Sequence, residues 1–297
     1  MDVHQCRICG SREFHYRLRN FPAEDRTWNL LTCNTCGFGT TSPLPDQATL
    51  SSMYSKEYWG SASDKLVDAF YCLRMGSFAG RIRKHSHKGA RALDVGAGNG
   101  AWAKLLIKYG FDAAGIDPYA SESSLGIVYK ASLEDTPFPP QTFDLITFMN
   151  VLEHLKDPID NIRKASRLLR TGGLLVIEVP NLNSFGFRQF KENWYPIQIP
   201  WHLNHFTPSS LHATINKAGE FNLLYSSGFS LRDCPSSLAN SMIPGLAPSS
   251  VRKRFKGVYP FPLKLAYLFI QAICLPVSAV AAQAGSGEFI RVIYKKL

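Results

Sequence analysis

One stretch limits the folds open to this chain more than any other. It is LDVGAGNG, residues 93–100, in which an apolar run and an aspartate lead into three glycines on alternate positions. Residues 90–95 read as a buried strand, and 101–109 carry apolar side chains at helical spacing, so the glycines lie at a strand-to-helix turn. Turns of this kind bring backbone close to a ligand at the carboxyl edge of an α/β sheet.

The spacing also restricts the ligand. Gly96-x-Gly98-x-Gly100 departs from the G-x-G-x-x-G of dinucleotide folds, and no Walker lysine with Ser/Thr follows it. A phosphate would meet Asp94 unfavourably. S-adenosylmethionine has no phosphate, and its sulfonium and ammonium both favour a carboxylate nearby. The downstream residues are consistent with that cofactor. A short strand ends in Asp117, placed to accept both ribose hydroxyls. Ser132 and the amide of Leu133 follow a third strand (127–129) and are placed to frame adenine. A fourth strand, 143–149, leads into Asn150, and a helix with Ile162, Ala165, Leu168 and Leu169 precedes a fifth at 174–180. Strands alternating with helices predict a parallel sheet with its ligands at the strands' carboxyl ends.

The amino-terminal residues carry a second signal. CRICG (6–10) and CNTCG (33–37) place Cys6, Cys9, Cys33 and Cys36 as two C-x2-C pairs about two dozen residues apart. Four thiolates at that spacing close a tetrahedron around zinc, and with no position left open such a zinc is structural. Between the pairs, Phe14, Tyr16, Leu18, Trp28, Leu30 and Leu31 suffice for a hairpin. Helical patterns follow at 46–56 and 62–85, the second with Leu66, Phe70, Leu73 and Phe78 at core spacing. These readings divide the chain into a zinc module (1–45), a helical linker or lid (46–88) and a catalytic domain (89–297).

Motifs LDVGAGNG, GIDP (115–118), LEDTPFPPQTFDLI (133–146), NVLEHLKDP (150–158) and LLRTGGLLVIEVPN (168–181) occur in order. As a set they resemble the class I S-adenosylmethionine-dependent methyltransferases, over roughly residues 89–229 and the last strand. The resemblance implies a Rossmann-like, doubly wound α/β sheet, mostly parallel with an antiparallel last strand. CxxCG…CxxCG followed by YSKEYW (54–59) resembles bacterial methyltransferases of sugar and polysaccharide biosynthesis. Sugar C-methyltransferases of that kind carry a further carboxy-terminal domain, and without one here the resemblance implies O-methylation.

A hydroxyl acceptor needs a base, and histidine suits neutral pH. His205 and His202 lie in IPWHLNHFTP (199–208), where this fold often builds its substrate lid, with Thr207 capping a helix that Pro208 begins. His154 follows the fourth strand. The expected order is His205, then His154, then His202. Glu153 with His154 is an alternative pair for a divalent metal, and Tyr58 and Trp59 are candidates to close over the cofactor or to pack beneath the zinc module.

About sixty residues (230–286) separate the last two strands, expected at 221–225 and 289–294. They hold RKRFK (252–256) and an apolar run, 263–282, in which Lys264, Gln271 and Ser278 recur every seven residues as one narrow polar stripe. A single membrane crossing is excluded if the last strand rejoins the sheet. That leaves a helix buried in a lid or dimer contact, or an interfacial anchor on anionic lipid.

A net charge of +10 admits nucleic acid, anionic lipid or phosphorylated substrates. Seven cysteines without a secretory leader suggest a cytoplasmic protein, peripheral at the inner membrane face if the anchor reading holds. The leading expectation is a methyltransferase acting on a hydroxyl of a sugar, nucleotide sugar or glycan intermediate. The alternatives are an RNA methyltransferase, prompted by the charge and the basic run RIRKHSHKGAR (81–91), and a cofactor-binding scaffold without turnover.

Overall fold

In a computed structural model of the chain, residues 5–23, 25–46, 49, 65–120 and 126–297 are described. The helical pattern at 46–56, Tyr58 and Trp59 fall outside them or nearly so, as do the side chains of Leu66 and Phe70.

Strands β1 (Phe14–Ala23), β2 (Arg26–Cys33) and β3 (Gly39–Ser42) form an antiparallel amino-terminal sheet. Helix α1 (Lys65–Lys84) leads to β4 (Arg91–Val95), α2 (Ala101–Lys108), β5 (Asp112–Ile116), β6 (Val128–Tyr129) and β7 (Phe143–Met149). Then come α3 (Pro158–Leu168), β8 (Leu169–Pro180), α4 (Phe185–Phe190), β9 (Asn204–His205), α5 (Pro208–Ala218) and β10 (Phe221–Ser227). Helices α6 (Asp233–Met242), α7 (Pro248–Arg254) and α8 (Phe261–Gln283) precede the last strand, β11 (Phe289–Lys296).

The large sheet runs β10-β11-β8-β7-β4-β5-β6. The five strands β8, β7, β4, β5 and β6 run parallel, and β11 is antiparallel to both β8 and β10. Strand order reverses between β4 and β7, which opens a crevice at their carboxyl ends. The Rossmann-like α/β expectation holds. Local rules place the helices: Asp157 accepts from the Asp160 amide at 2.9 Å with Pro158 behind it. Thr207 and Ser210 form a reciprocal capping box at the start of α5.

One expectation needs correction. Leu73 is 73% exposed, and the core face of α1 is instead Met75, Phe78, Ala79 and Ile82. At about 100° per residue, position 73 lies opposite 75 and 82. The small sheet has β9 as its fourth strand, pairing Gly39 with His205 and Thr40 with Asn204. The amino-terminal residues thus share a sheet with the expected lid segment.

Candidate active site

A cavity of about 790 Å³ opens at the switch point. One wall is the glycine turn. Gly96, Gly98 and Gly100 all have positive φ. A Cβ on Gly96 would stand 2.6 Å from Val151 and one on Gly100 2.9 Å from Val128, so each must be glycine on two grounds. The Gly98 amide donates to Asp117 Oδ2 at 2.9 Å and the Tyr119 amide to Oδ1 at 2.8 Å. These bonds orient the carboxylate at the end of β5, while burial pushes its pKa up. Gly96, Asp117, Ser132, Leu133 and Asn150 all line the cavity; Asp94, Gly98 and Gly100 stand behind its wall. Asp94 is 2% exposed and accepts from Thr147 Oγ1 at 2.7 Å. Burial, with some help from Asp117, pushes its carboxyl up to about 7.

Asn150, immediately after β7, has φ 58°. Its amide donates to the Glu178 carbonyl at 2.8 Å and its side-chain nitrogen to Glu178 Oε1 at 3.1 Å. Asn150 Oδ1 is buried with no partner among the described residues. Glu178 forms a buried ion pair with Arg291, its register partner in β11. Arg291 Nη2 donates to Ser230 Oγ at 2.7 Å, and Ser230 donates to Asp233 Oδ2 at 2.6 Å. Burial pushes Asp233 up, but Arg232 and Arg291 outweigh it and leave the carboxyl below its ordinary value. Arg232 and Asp233 line the cavity. Sequence reasoning missed this network, although a charge inside each of the apolar runs of β8 and β11 signals it.

The cavity is lined also by Glu153, His154 and His202, whose donor atoms are all within 4.8 Å of one another. Glu153 is 1% exposed with Oε2 unpartnered among the described residues, and burial pushes its carboxyl up to about 8. His154 Nδ1 lies 3.1 Å from the Trp201 carbonyl, which can only accept, so the proton sits on Nδ1 and the basic lone pair on Nε2. Burial lowers its pKa to about 4 and that of His202 further below the ordinary range. The His205 ring has its centroid 6.2 Å from that of His202. It is buried in β9 with Nε2 3.1 Å from Thr41 Oγ1, burial lowers its pKa to about 3, and it does not line the cavity. Of the three histidines expected as base, His154 and His202 line the cavity. Glu288, just before β11, accepts from Trp194 Nε1 and the Gly186 amide, each at 2.7 Å, and so ties down the chain between β8 and β9.

Cys6 Sγ lies 3.6 Å from Cys36 Sγ and Cys9 Sγ 3.4 Å from Cys33 Sγ, with all four sulfurs within 4.8 Å of one another. The Gly10 amide donates to the Cys6 carbonyl and the Gly37 amide to the Cys33 carbonyl, the turns that aim each pair inward.

A family described as "Methyltransferase domain" matches residues 70–224, just over half of the chain. The chain belongs to this methyltransferase family. It is similar to a "Ubiquinone biosynthesis O-methyltransferase" of Cereibacter sphaeroides, 31% identical over 150 residues that cover 44% of this chain and 60% of that protein. It is similar also to one of the same name from Xanthomonas campestris, at 30% over 146 residues, 45% of this chain and 60% of that one. The chain therefore spans about 60% of the length of the curated relatives it matches. Among solved structures it shares its fold with an S-adenosylmethionine-dependent methyltransferase from Thermotoga maritima (TM-score 0.50, 18% identity, 84% of this chain and 99% of that one). It shares it also with the methyltransferase in a complex with the Trm112 activator of Haloferax volcanii (TM-score 0.52, 14% identity, 85% and 98%).

Proposed function

We propose that this protein transfers the methyl group of S-adenosylmethionine to a hydroxyl oxygen of an acceptor held beside His154 and His202. The observation that carries the reading is one cavity lined by Gly96, Asp117 and Asn150 and also by Glu153, His154 and His202.

The residues fit the cofactor. Asn150 Oδ1, buried and unpartnered among the described residues, suits an ammonium donor. Asp117 keeps a second lone pair on each oxygen for the ribose hydroxyls, and Ser132 and Leu133 lie where adenine would sit. Bound there, S-adenosylmethionine supplies an electrophilic methyl carbon on a positive sulfur. The protein's part is to align the acceptor oxygen and to receive its proton at a histidine nitrogen. Burial keeps His154 and His202 unprotonated, ready to accept. Glu153, its carboxyl pushed up to about 8 by burial, lies beside the pair with a carboxylate oxygen within 4.8 Å of a ring nitrogen of each.

O-methylation agrees with the names of the relatives. The finer reading from the sequence is a sugar, nucleotide-sugar or glycan hydroxyl. A hydroxyl of an aromatic acceptor such as a phenol is the second reading, prompted by relatives named for ubiquinone biosynthesis. RNA methylation gains no support from the family or the relatives. The four clustered thiols support a structural zinc in the amino-terminal sheet.

The test is methyl incorporation from labelled S-adenosylmethionine into two acceptor panels, nucleotide sugars with glycan fragments and hydroxylated phenols, read by mass spectrometry. Label in the first panel supports the sugar reading and label in the second replaces it. Absence of S-adenosylmethionine binding by calorimetry would overturn the whole proposal.

A further inference from the structure

Helix α8 carries its polar and apolar faces the wrong way round for a helix of a freely solvated domain. Gln271 and Ser278, two of the three stripe residues, are turned inward and buried together with Tyr267, Cys274 and Ala281. Their partner is α6, rich in serine and asparagine, with Leu238 and Ala239 packed against Tyr267 and Cys274. The outward face is apolar. Phe261, Leu265, Phe269, Ile273, Val277 and Val280 are 43–70% exposed along a helix of 23 residues, about 34 Å at ~1.5 Å per residue. Its most apolar window has a mean hydropathy of 2.0 and is only 28% buried. Monomeric domains rarely leave so continuous an apolar strip uncovered.

The charge of the insertion says what covers it. From 234 to 287 there is no aspartate or glutamate, while Arg252, Lys253, Arg254, Lys256 and Lys264 supply five cations. Four of these stand at the end of α7 and just after it, and the chain runs from them through Val258, 62% exposed, directly into the apolar face at Phe261. An apolar strip bordered by cations and free of carboxylates complements an anionic bilayer, whose headgroups take the cations while its acyl boundary takes the strip. A second copy of the chain is a poorer occupant, because a symmetric contact would set this all-cationic segment against itself. The helix cannot cross. Its two ends return to the neighbouring strands β10 and β11, and its inner face is fixed on α6.

We infer that α8 lies flat in the surface of an anionic membrane, with the Arg252–Lys256 cluster on the headgroups, and that this docks the protein beside a bilayer. The inference rests on the insertion alone and does not depend on the methyl acceptor.

The experiment is flotation of the full chain with vesicles of phosphatidylcholine, with and without phosphatidylglycerol. Binding is expected only with the anionic lipid, and it should weaken as salt rises. The double substitution Arg252→Glu with Lys253→Glu should lower partitioning by about 25-fold or more, near fivefold for each cation removed. Phe269→Glu with Ile273→Glu should lower it at least as far. All four side chains are exposed, so melting temperature and S-adenosylmethionine affinity should stay unchanged, which separates lost docking from lost folding. Absence of binding to anionic vesicles, or binding indifferent to both double substitutions, would overturn the inference. So would light scattering that shows a dimer dispersed by Phe269→Glu in a protein that ignores vesicles.

Discussion

His154 and His202 meet edge to face on the cavity wall, their ring centroids 4.6 Å apart and their planes at 80°. One belongs to the turn after β7 and the other to the lid before β9. Backbone and amide bonds hold the two segments together: the Leu203 amide donates to the Glu153 carbonyl at 2.8 Å, and Asn204 Nδ2 donates to the carbonyls of Leu152 and Leu155 at 2.9 and 2.7 Å. Two imidazoles so close tolerate one positive charge between them and resist two. A pair of this kind accepts one proton, which is what a hydroxyl acceptor delivers.

Replacing His154 or His202 by alanine should therefore lower turnover by about 10²–10⁴ with S-adenosylmethionine affinity nearly unchanged. His205→Ala should behave differently. It removes a buried partner of Thr41 from the small sheet and should cost about 1–3 kcal/mol of stability before it affects the chemistry. Kinetics and thermal melts on the three variants separate these roles. A His205 variant that is stable yet inactive would return that residue to the active site.

The cofactor end should report its electrostatics through pH. Burial raises Asp94 to about 7, and a cation bound at the glycine turn favours its ionised form, so binding should release protons. Affinity for S-adenosylmethionine should rise between pH 6 and 8, and Asp94→Asn should flatten the profile. Calorimetry in two buffers of different ionisation enthalpy measures the protons directly. Asp117→Ala should weaken binding about tenfold or more at every pH, since each charge-assisted hydrogen bond lost is worth about 1.5–3 kcal/mol.

Much of this site is legible in the sequence because it depends on local order. The glycine turn, Asp117 and Asn150 each follow a strand, and in a parallel sheet the ends of successive strands converge. What the sequence does not show depends on partners far along the chain. Whether His205 faces the cavity is decided by β9 pairing with β3, where Gly39 meets His205. The polar stripe of α8 is readable by period, but its direction depends on α6 offering a polar face. Glu178 and Arg291 are readable only once β8 and β11 are known to be register partners.

The four thiols tie metal content to the lid. If zinc holds Cys6, Cys9, Cys33 and Cys36, removing it loosens β1, β2 and β3, and through β3 the β9 strand beside the cavity. One zinc per chain is expected by metal analysis. Cys33→Ser or strong chelation should lower both stability and methyl transfer. A metal-free protein with full activity would show that the cluster stands as four reduced thiols.

Glu153 offers the sharpest test of the cavity's charge state. Its carboxyl is held at about 8 by burial, against about 4.3 in an unfolded chain. Between those values the native state binds a proton that the unfolded state has lost, so stability falls as pH rises, by up to about 1.4 kcal/mol per pH unit. Below that window both states are protonated and above it both are ionised, so the slope vanishes on either side. The buried histidines work in the opposite sense below pH 6.5, because the native state refuses protons that the unfolded state accepts, but they do so equally in any variant that keeps them. Glu153→Gln removes only the carboxyl's contribution. Its melting temperature relative to the parent should therefore climb from pH 5 to 8 and level off above. A flat difference would mean that Glu153 is already ionised in the folded protein. That is the outcome expected if it, His154 and His202 held a divalent cation, and repeating the melts with a chelator would tell the two states apart.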